Sequence, residues 1–203
     1  MQGMVEVMDK PVIGVATSHF ITSIWSLFSQ KVGVVDKENM EQYDLVIFTG
    51  GSDISPRLYG EKNTHSYCNI GRDERELEIF TLCLKYGIKM FGVCRGHQLL
   101  NALSGGKLVQ DLRTFKESHG GYHELIITEP DSVIGGIYTE VNSIHHQGVD
   151  KPGINLNITS TYKGVIESVE SDNILSVQWH PEFMLDSQAE KLSAYLKGWA
   201  MKK

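Results

Sequence analysis

The stretch Lys89-Met90-Phe91-Gly92-Val93-Cys94-Arg95-Gly96-His97-Gln98-Leu99-Leu100-Asn101-Ala102-Leu103 changes its hydrophobic period half-way along. Up to Val93 it is a short, mostly apolar run of the kind that forms a buried strand. From Gln98 onward the apolar residues are spaced as on one face of a helix. The junction reads G-x-C-x-G, from Gly92 to Gly96. A sharp strand-to-helix turn leaves no room for side chains beside its central residue, so small residues are expected on both sides of it. The turn also lifts the central side chain off the sheet and leaves it at a helix N-terminus. The partial positive charge there favours thiolate over thiol. This is the cysteine counterpart of the G-x-S-x-G nucleophile elbow. Cys94 is therefore the candidate nucleophile, set against the plainer reading of a buried structural cysteine between two glycines.

A cysteine nucleophile needs a base within reach, and the base needs an orienting carboxylate. Residues 165–169 and 174–177 predict a hairpin, with Ser171-Asp172-Asn173 as its turn. The hairpin delivers Gln178-Trp179-His180-Pro181-Glu182. His180 directly after a strand supplies the base, and Glu182 two residues on supplies the orienter. Pro181 stiffens the connection. Upstream, strands are expected over 11–16, 32–35 and 43–48, and a helix over 21–30 with Ile21, Ile24, Trp25 and Phe28 at helical spacing. The third strand runs into Thr49-Gly50-Gly51-Ser52. This alternation predicts an α/β fold with a parallel sheet. Ligands gather at the carboxyl ends of such strands, so Gly50-Gly51 and Cys94 are expected on one edge. A glycine backbone N–H at that edge can face a developing oxyanion; a plain strand-closing turn is the alternative.

Residues 58–70 are polar and irregular, consistent with a surface loop over the active edge. Arg72-Asp73-Glu74-Arg75-Glu76 opens a helix that runs to about Tyr86, capped by Gly87. Leu77, Phe80, Cys83 and Leu84 are its expected inner stripe, and Asp73 and Glu76 either favour the helix start, the preferred reading, or anchor the neighbouring loop. His145 and His146, in Val141-Asn142-Ser143-Ile144-His145-His146-Gln147, fit ligands, substrate contacts or packed polar residues; substrate-side packing is preferred to a metal. His65 and Cys68 lack a second pair at zinc-ligand spacing. Residues 186–203 predict an amphipathic helix with Leu192, Tyr195, Leu196 and Trp199 on its apolar face.

Composition narrows the classes. The 203 residues suffice for one domain spanning 1–203, with 1–10 as a candidate disordered segment. A net charge of −6 and the lack of a basic run exclude a general nucleic-acid binder. No apolar run is long enough to span a bilayer, and residues 1–10 lack the apolar core of a signal peptide. Three cysteines (Cys68, Cys83, Cys94) without C-x-x-C spacing fit free thiols in a reducing, cytoplasmic compartment. Neither G-x-G-x-x-G nor a Walker lysine is present, which argues against phosphate binding at the glycine loop.

Taken together, Thr49-Gly50-Gly51-Ser52-Asp53, Gly92-Val93-Cys94-Arg95-Gly96-His97-Gln98 and Trp179-His180-Pro181-Glu182 resemble the motifs of a class I glutamine amidotransferase-like domain. Within that superfamily, Arg72-Asp73, Asn101-Ala102-Leu103-Ser104-Gly105-Gly106, Gln110-Asp111-Leu112 and the segment 141–147 resemble the stand-alone γ-glutamyl hydrolases. The nearest type is the γ-glutamyl-γ-aminobutyrate hydrolases of peptidase C26. The resemblance runs from about Pro11 to Phe183. It implies a flavodoxin-like, mostly parallel central sheet flanked by helices. It also implies Cys94 as nucleophile, His180 as base and acid, and Glu182 as its orienter. The backbone N–H groups of Gly51 and Arg95 would form the oxyanion hole, with Gly50, Gln98, His145, His146 and Gln147 on the substrate side. The implied reaction hydrolyses a small γ-glutamyl amide through a γ-glutamyl thioester, with no cofactor and no metal. Segments trimmed relative to these hydrolases fall in loops around the active edge, so the amine stays open, as does a homodimer. Two alternatives remain beside it: a glutaminase subunit that delivers ammonia to a separate synthase partner, and a non-catalytic binding protein on the same fold.

Overall fold

The computed structural model describes residues 10–28, 32–114 and 119–202. Apart from Lys10, the candidate disordered segment lies outside these residues, as do residues 29 and 30 of the first expected helix and the Trp25 side chain.

The chain begins with β1 (Ile13–Val15), α1 (Ile21–Phe28), β2 (Gly33–Val34) and β3 (Leu45–Phe48). Next come α2 (Ile70–Tyr86), β4 (Lys89–Val93), α3 (Arg95–Leu103) and β5 (Lys107–Val109). Then follow β6 (Gly121–Glu124), β7 (Ile126–Ile127), α4 (Val133–Ile137), β8 (Glu140–Ser143) and β9 (Gly148–Lys151). The last elements are β10 (Asn157–Tyr162), β11 (Val165–Glu170), β12 (Ile174–Val177) and α5 (Asp186–Ala200).

The strands β2-β1-β3-β4-β12 lie side by side in parallel pairs. Beyond β12 the same sheet continues antiparallel through β11, β10 and β7, while β9 pairs with β11 and β5 with β9. The expected 165–177 hairpin is the hinge between the two halves: its second strand joins the parallel set and its first opens the antiparallel one. Strands β6 and β8 form a separate two-stranded sheet.

The inner parallel strands β3, β4 and β12 are apolar on both faces because both are covered. Leu45 and Ile47 of β3, Phe91 and Val93 of β4, and Leu175 and Val177 of β12 pack with Ile24 and Phe28 of α1 and Leu192 and Leu196 of α5. Val46, Phe48 and Met90 face the other way, onto Ile79, Phe80 and Cys83 of α2 and Leu99 and Leu100 of α3. Cys83 is thus a core residue, as expected. On α5, Tyr195 stands at the margin of the apolar face and stacks on Trp199. Among the described residues no helix is long and apolar enough to cross a membrane.

The inner face of α2 corrects the sequence reading. Leu77 and Leu84 are 40% and 53% exposed, whereas Arg72, Asp73, Glu76, Ile79, Phe80 and Cys83 are buried. The N-terminal half of the helix therefore packs inward through charge. Asp73 lies in the first turn as expected, but Asp73 and Glu76 are buried and pair with arginines, and Asp73 also anchors the neighbouring loop through Ser55 N–H. Gly87, in the left-handed region at φ 66°, caps the helix as expected.

Candidate active site

The parallel register brings the ends of β3, β4 and β12 together, because Phe48 pairs with Gly92 and Val177 with Val93. Cys94 follows β4 directly and serves as N-cap of α3, with φ 51° and ψ −103°. A non-glycine residue held there stores roughly 1–3 kcal/mol of strain. The flanking glycines show what enforces the turn. A Cβ on Gly92 would lie 2.8 Å from the Gly96 carbonyl carbon, and one on Gly96 would lie 1.9 Å from the Phe48 carbonyl oxygen. The first turn of α3 presses directly on the backbone of β3 and β4.

His180 lies three residues beyond β12, on the same edge. It is buried, as is Cys94, whose sulfur favours the protonated imidazole. Its Nδ1 is 2.8 Å from Oε1 of the buried Glu182 side chain. Burial opposes charge on the imidazole. The Cys94 sulfur, the hydrogen bond to Glu182 and the negative charge of both outweigh it and push the His180 pKa up to about 10. Asn142 of β8 grips the His180 backbone from both sides: its Nδ2 donates to the His180 carbonyl at 2.9 Å, and His180 N–H donates to its Oδ1 at 3.0 Å. Phe183 stacks on the imidazole at 5.4 Å. Gly50 closes the other side, where a Cβ would sit 2.8 Å from His180 Cε1.

Gly51 has φ 145°, a conformation strained for any other residue, and a Cβ there would lie 2.1 Å from Arg72 Nη1 and 3.6 Å from Arg95 Cδ. Among the described residues neither the Gly51 nor the Arg95 backbone N–H finds an acceptor. Beneath them lies a buried charge network. Arg95 donates to Asp73 Oδ1 at 2.6 Å and to Glu76 Oε2, and Arg72 Nε donates to Glu76 Oε1 at 2.9 Å. Arg72 Nη2 also donates to the Thr49 carbonyl at 3.0 Å, and Asp73 Oδ2 accepts from Ser55 N–H at 2.9 Å. Two cations and two anions balance. Burial still raises the Asp73 pKa and lowers that of Arg72. The network ties the Gly50-Gly51 loop to the elbow through α2.

The remaining expected substrate-side residues are spread unevenly. Gln98 is buried, and its Nε2 donates to the Gln147 carbonyl at 3.1 Å and to Gln178 Oε1 at 3.2 Å. Gln147 is buried as well, donating to Ser66 Oγ at 2.7 Å and the Gln110 carbonyl at 3.1 Å. His146 lies nearer the surface, its Nε2 3.0 Å from Asp53 Oδ1. His145 turns inward; burial holds its pKa down to about 4. The 58–70 loop is fastened to the edge by Gln110, Gln147 and Asp53, the last accepting from Tyr67 N–H at 2.9 Å. Asn142 and Arg72 are supporting residues whose contacts pattern reading did not find, while Asp73 takes the loop-anchoring alternative by accepting from Ser55 N–H. A wide cleft of about 1080 Å³ lined by Phe80, Leu103, Ile154 and Trp199 lies away from this edge, beside the turn that precedes β12.

Solved structures share this architecture. A putative GMP synthase subunit from Thermoplasma acidophilum aligns with a TM-score of 0.69 at 13% identity, over 95% of this chain and 94% of that one. A glutamine amidotransferase from Thermotoga maritima aligns with a TM-score of 0.62 at 14% identity, over 92% and 81%. The fold is that of the class I glutamine amidotransferases. A sequence model of peptidase C26 matches residues 22–182, and the chain belongs to that family. A putative glutamine amidotransferase of Schizosaccharomyces pombe is 33% identical over 75% of this chain and 67% of its own length. The γ-glutamyl-γ-aminobutyrate hydrolase of Escherichia coli is 30% identical over 65% of this chain and 61% of its own length.

Proposed function

We propose that the protein is a cysteine-dependent hydrolase that cleaves the γ-glutamyl amide bond of a small conjugate, releasing glutamate and an amine. One observation carries the reading. A buried cysteine held at positive φ at the end of β4 shares its sheet edge with an imidazole that is paired to a carboxylate at 2.8 Å. That is the arrangement of an activated nucleophile, its base and the base's orienter. The similarity to a γ-glutamyl-γ-aminobutyrate hydrolase supports the substrate class.

With its pKa raised to about 10, His180 holds a proton at neutral pH. Cys94 Sγ then attacks the γ-carbonyl carbon as the thiolate. A C–S bond forms, and the carbonyl oxygen takes the charge against the Gly51 and Arg95 N–H groups. Collapse breaks the C–N bond, and the leaving amine takes the His180 proton. Water next attacks the thioester and gives a proton to the neutral His180. The C–S bond breaks, glutamate leaves, and the thiolate and imidazolium are restored. Glu182 holds Nδ1 and fixes the ring so that Nε2 faces the sulfur.

Glutamate release from a panel of γ-glutamyl amides, with glutamine included and Cys94→Ala as control, tests the reading. Turnover of a conjugate well above glutamine, abolished in the variant, is the expected result. Slow turnover of glutamine alone would favour a glutaminase that works with a synthase partner. No turnover, with Cys94 unlabelled by a γ-glutamyl electrophile, would leave a binding protein.

A further inference from the structure

Glu167 of β11 is fully buried, and its neighbours are imidazoles. His119 Nε2 is 2.9 Å from Glu167 Oε1, and His123 Nε2 of β6 is 3.9 Å from the same oxygen. Ligand-capable atoms of His119, His145 and Glu167 all lie within 4.8 Å of one another. Tyr162 stacks flat on the His123 ring at 3.9 Å, which fixes its plane. None of these groups belongs to the Cys94–His180–Glu182 chain of contacts.

The proton count here is unusual for a packed polar cluster. His145 Nδ1 is 2.8 Å from the Gln147 carbonyl, which can only accept, so Nδ1 carries the hydrogen and Nε2 the lone pair. The nearest group to that Nε2 is Ser143 Oγ at 3.1 Å, but the hydroxyl donates its one proton to the His119 carbonyl at 2.6 Å. His123 Nδ1 likewise faces a carbonyl, that of Glu124, which leaves its Nε2 unprotonated. His123 Nε2, Glu167 Oε2 and His119 Nδ1 are all buried without a partner. Several electron pairs thus converge on a dry carboxylate with too few protons between them. Such orphaned groups are costly unless a cation completes them.

We propose that Glu167, His119 and His145 form a site for a divalent transition cation of the zinc class, with His123 beside it and solvent completing the coordination. Imidazole and carboxylate donors suit that class, and ligand atoms in a tetrahedral zinc site stand about 3.3 Å apart, within reach of small side-chain rotations. His145 has the support that such ligands characteristically show, its other nitrogen donating to a backbone carbonyl. His119 joins through Nε2 once its proton moves to Nδ1. The three side chains come from the segment leading into β6, from the loop after β8 and from β11. The cation would therefore clamp the separate β6–β8 ribbon onto the main sheet. That ribbon carries Asn142, which grips His180, so the clamp reaches the active edge through structure, whatever the substrate.

Cobalt(II) titrated into the metal-stripped full-length protein provides the test. The expected result is one equivalent bound per chain, with the intense visible bands of four-coordinate cobalt. Zinc should displace it and raise Tm by roughly 5 °C at free metal a hundred times Kd. Glu167→Gln and His145→Leu should each lose the bands, while His65→Ala, at the surface, keeps them. Wild-type protein that neither develops the bands nor gains thermal stability with zinc overturns the proposal, as do bands that persist unchanged in both site variants. The wild-type titration decides the matter even if a variant fails to fold.

Discussion

Replacing Gly51 with alanine should damage stability and catalysis by separable routes. The new methyl group would stand 2.1 Å from Arg72 Nη1 and force an L residue to φ 145°. The backbone conformation costs roughly 1–3 kcal/mol. Arg72 cannot simply swing away, because it is buried and bonded to Glu76 and to the Thr49 carbonyl. Disturbing such a buried pair adds a few kcal/mol, up to about 3–5 if it breaks. A total near 4 kcal/mol lowers Tm by roughly 8–16 °C for a chain of this size. Displacing the Gly51 N–H from the oxyanion position should also slow kcat by roughly 100- to 1000-fold with little change in KM. Thermal unfolding by circular dichroism and steady-state glutamate release measure the two effects. Adding Arg72→Lys, which removes the guanidinium fork, should recover part of the Tm but none of the kcat. A Gly51→Ala protein with Tm within about 2 °C of wild type and kcat within about threefold would refute both the packing argument and the oxyanion role.

Three further outcomes follow from the same geometry. Glu182→Gln removes the anion that orients His180 and favours its proton, so the His180 pKa should fall from about 10, read by NMR of the imidazole, and kcat should drop by roughly 10⁴. Asn142→Ala deletes both hydrogen bonds to the His180 backbone and should cut kcat by roughly 10- to 100-fold without abolishing Cys94 alkylation by iodoacetamide, measured by mass spectrometry. The His180 pKa is raised in the folded state, from 6.5 to about 10, so its contribution to stability is complete below pH 6.5 and is lost as pH rises through 10. Urea melts of wild type and His180→Gln should accordingly converge between those two pH values; a gap that widens instead contradicts the assignment.

Much of this site is readable along the chain because its essential parts are local. The elbow is written in five residues, since the glycines beside Cys94 answer a collision within one turn. His180 and Glu182 are two residues apart, so their contact at 2.8 Å needs only the strand before them and Pro181 between them. The strands β3, β4 and β12 announce themselves as apolar runs, because both of their faces are buried. Charge and histidine chemistry behave differently. Helical spacing alone points Leu77 and Leu84 inward, yet the buried face of α2 belongs to Arg72, Asp73 and Glu76, because Arg95 arrives from 22 residues beyond Asp73 to neutralise it. No local pattern announces that Glu167 meets His119 from 48 residues away, or that Asn142 reaches His180 across 38. The sequence by itself determined the elbow at Cys94, the pairing of His180 with Glu182 and the parallel core, each set by steric and hydrophobic demands between near neighbours. Only the tertiary structure decided which polar side chains are buried and what they face, because burying a charge or an imidazole is tolerable only when a distant partner completes it.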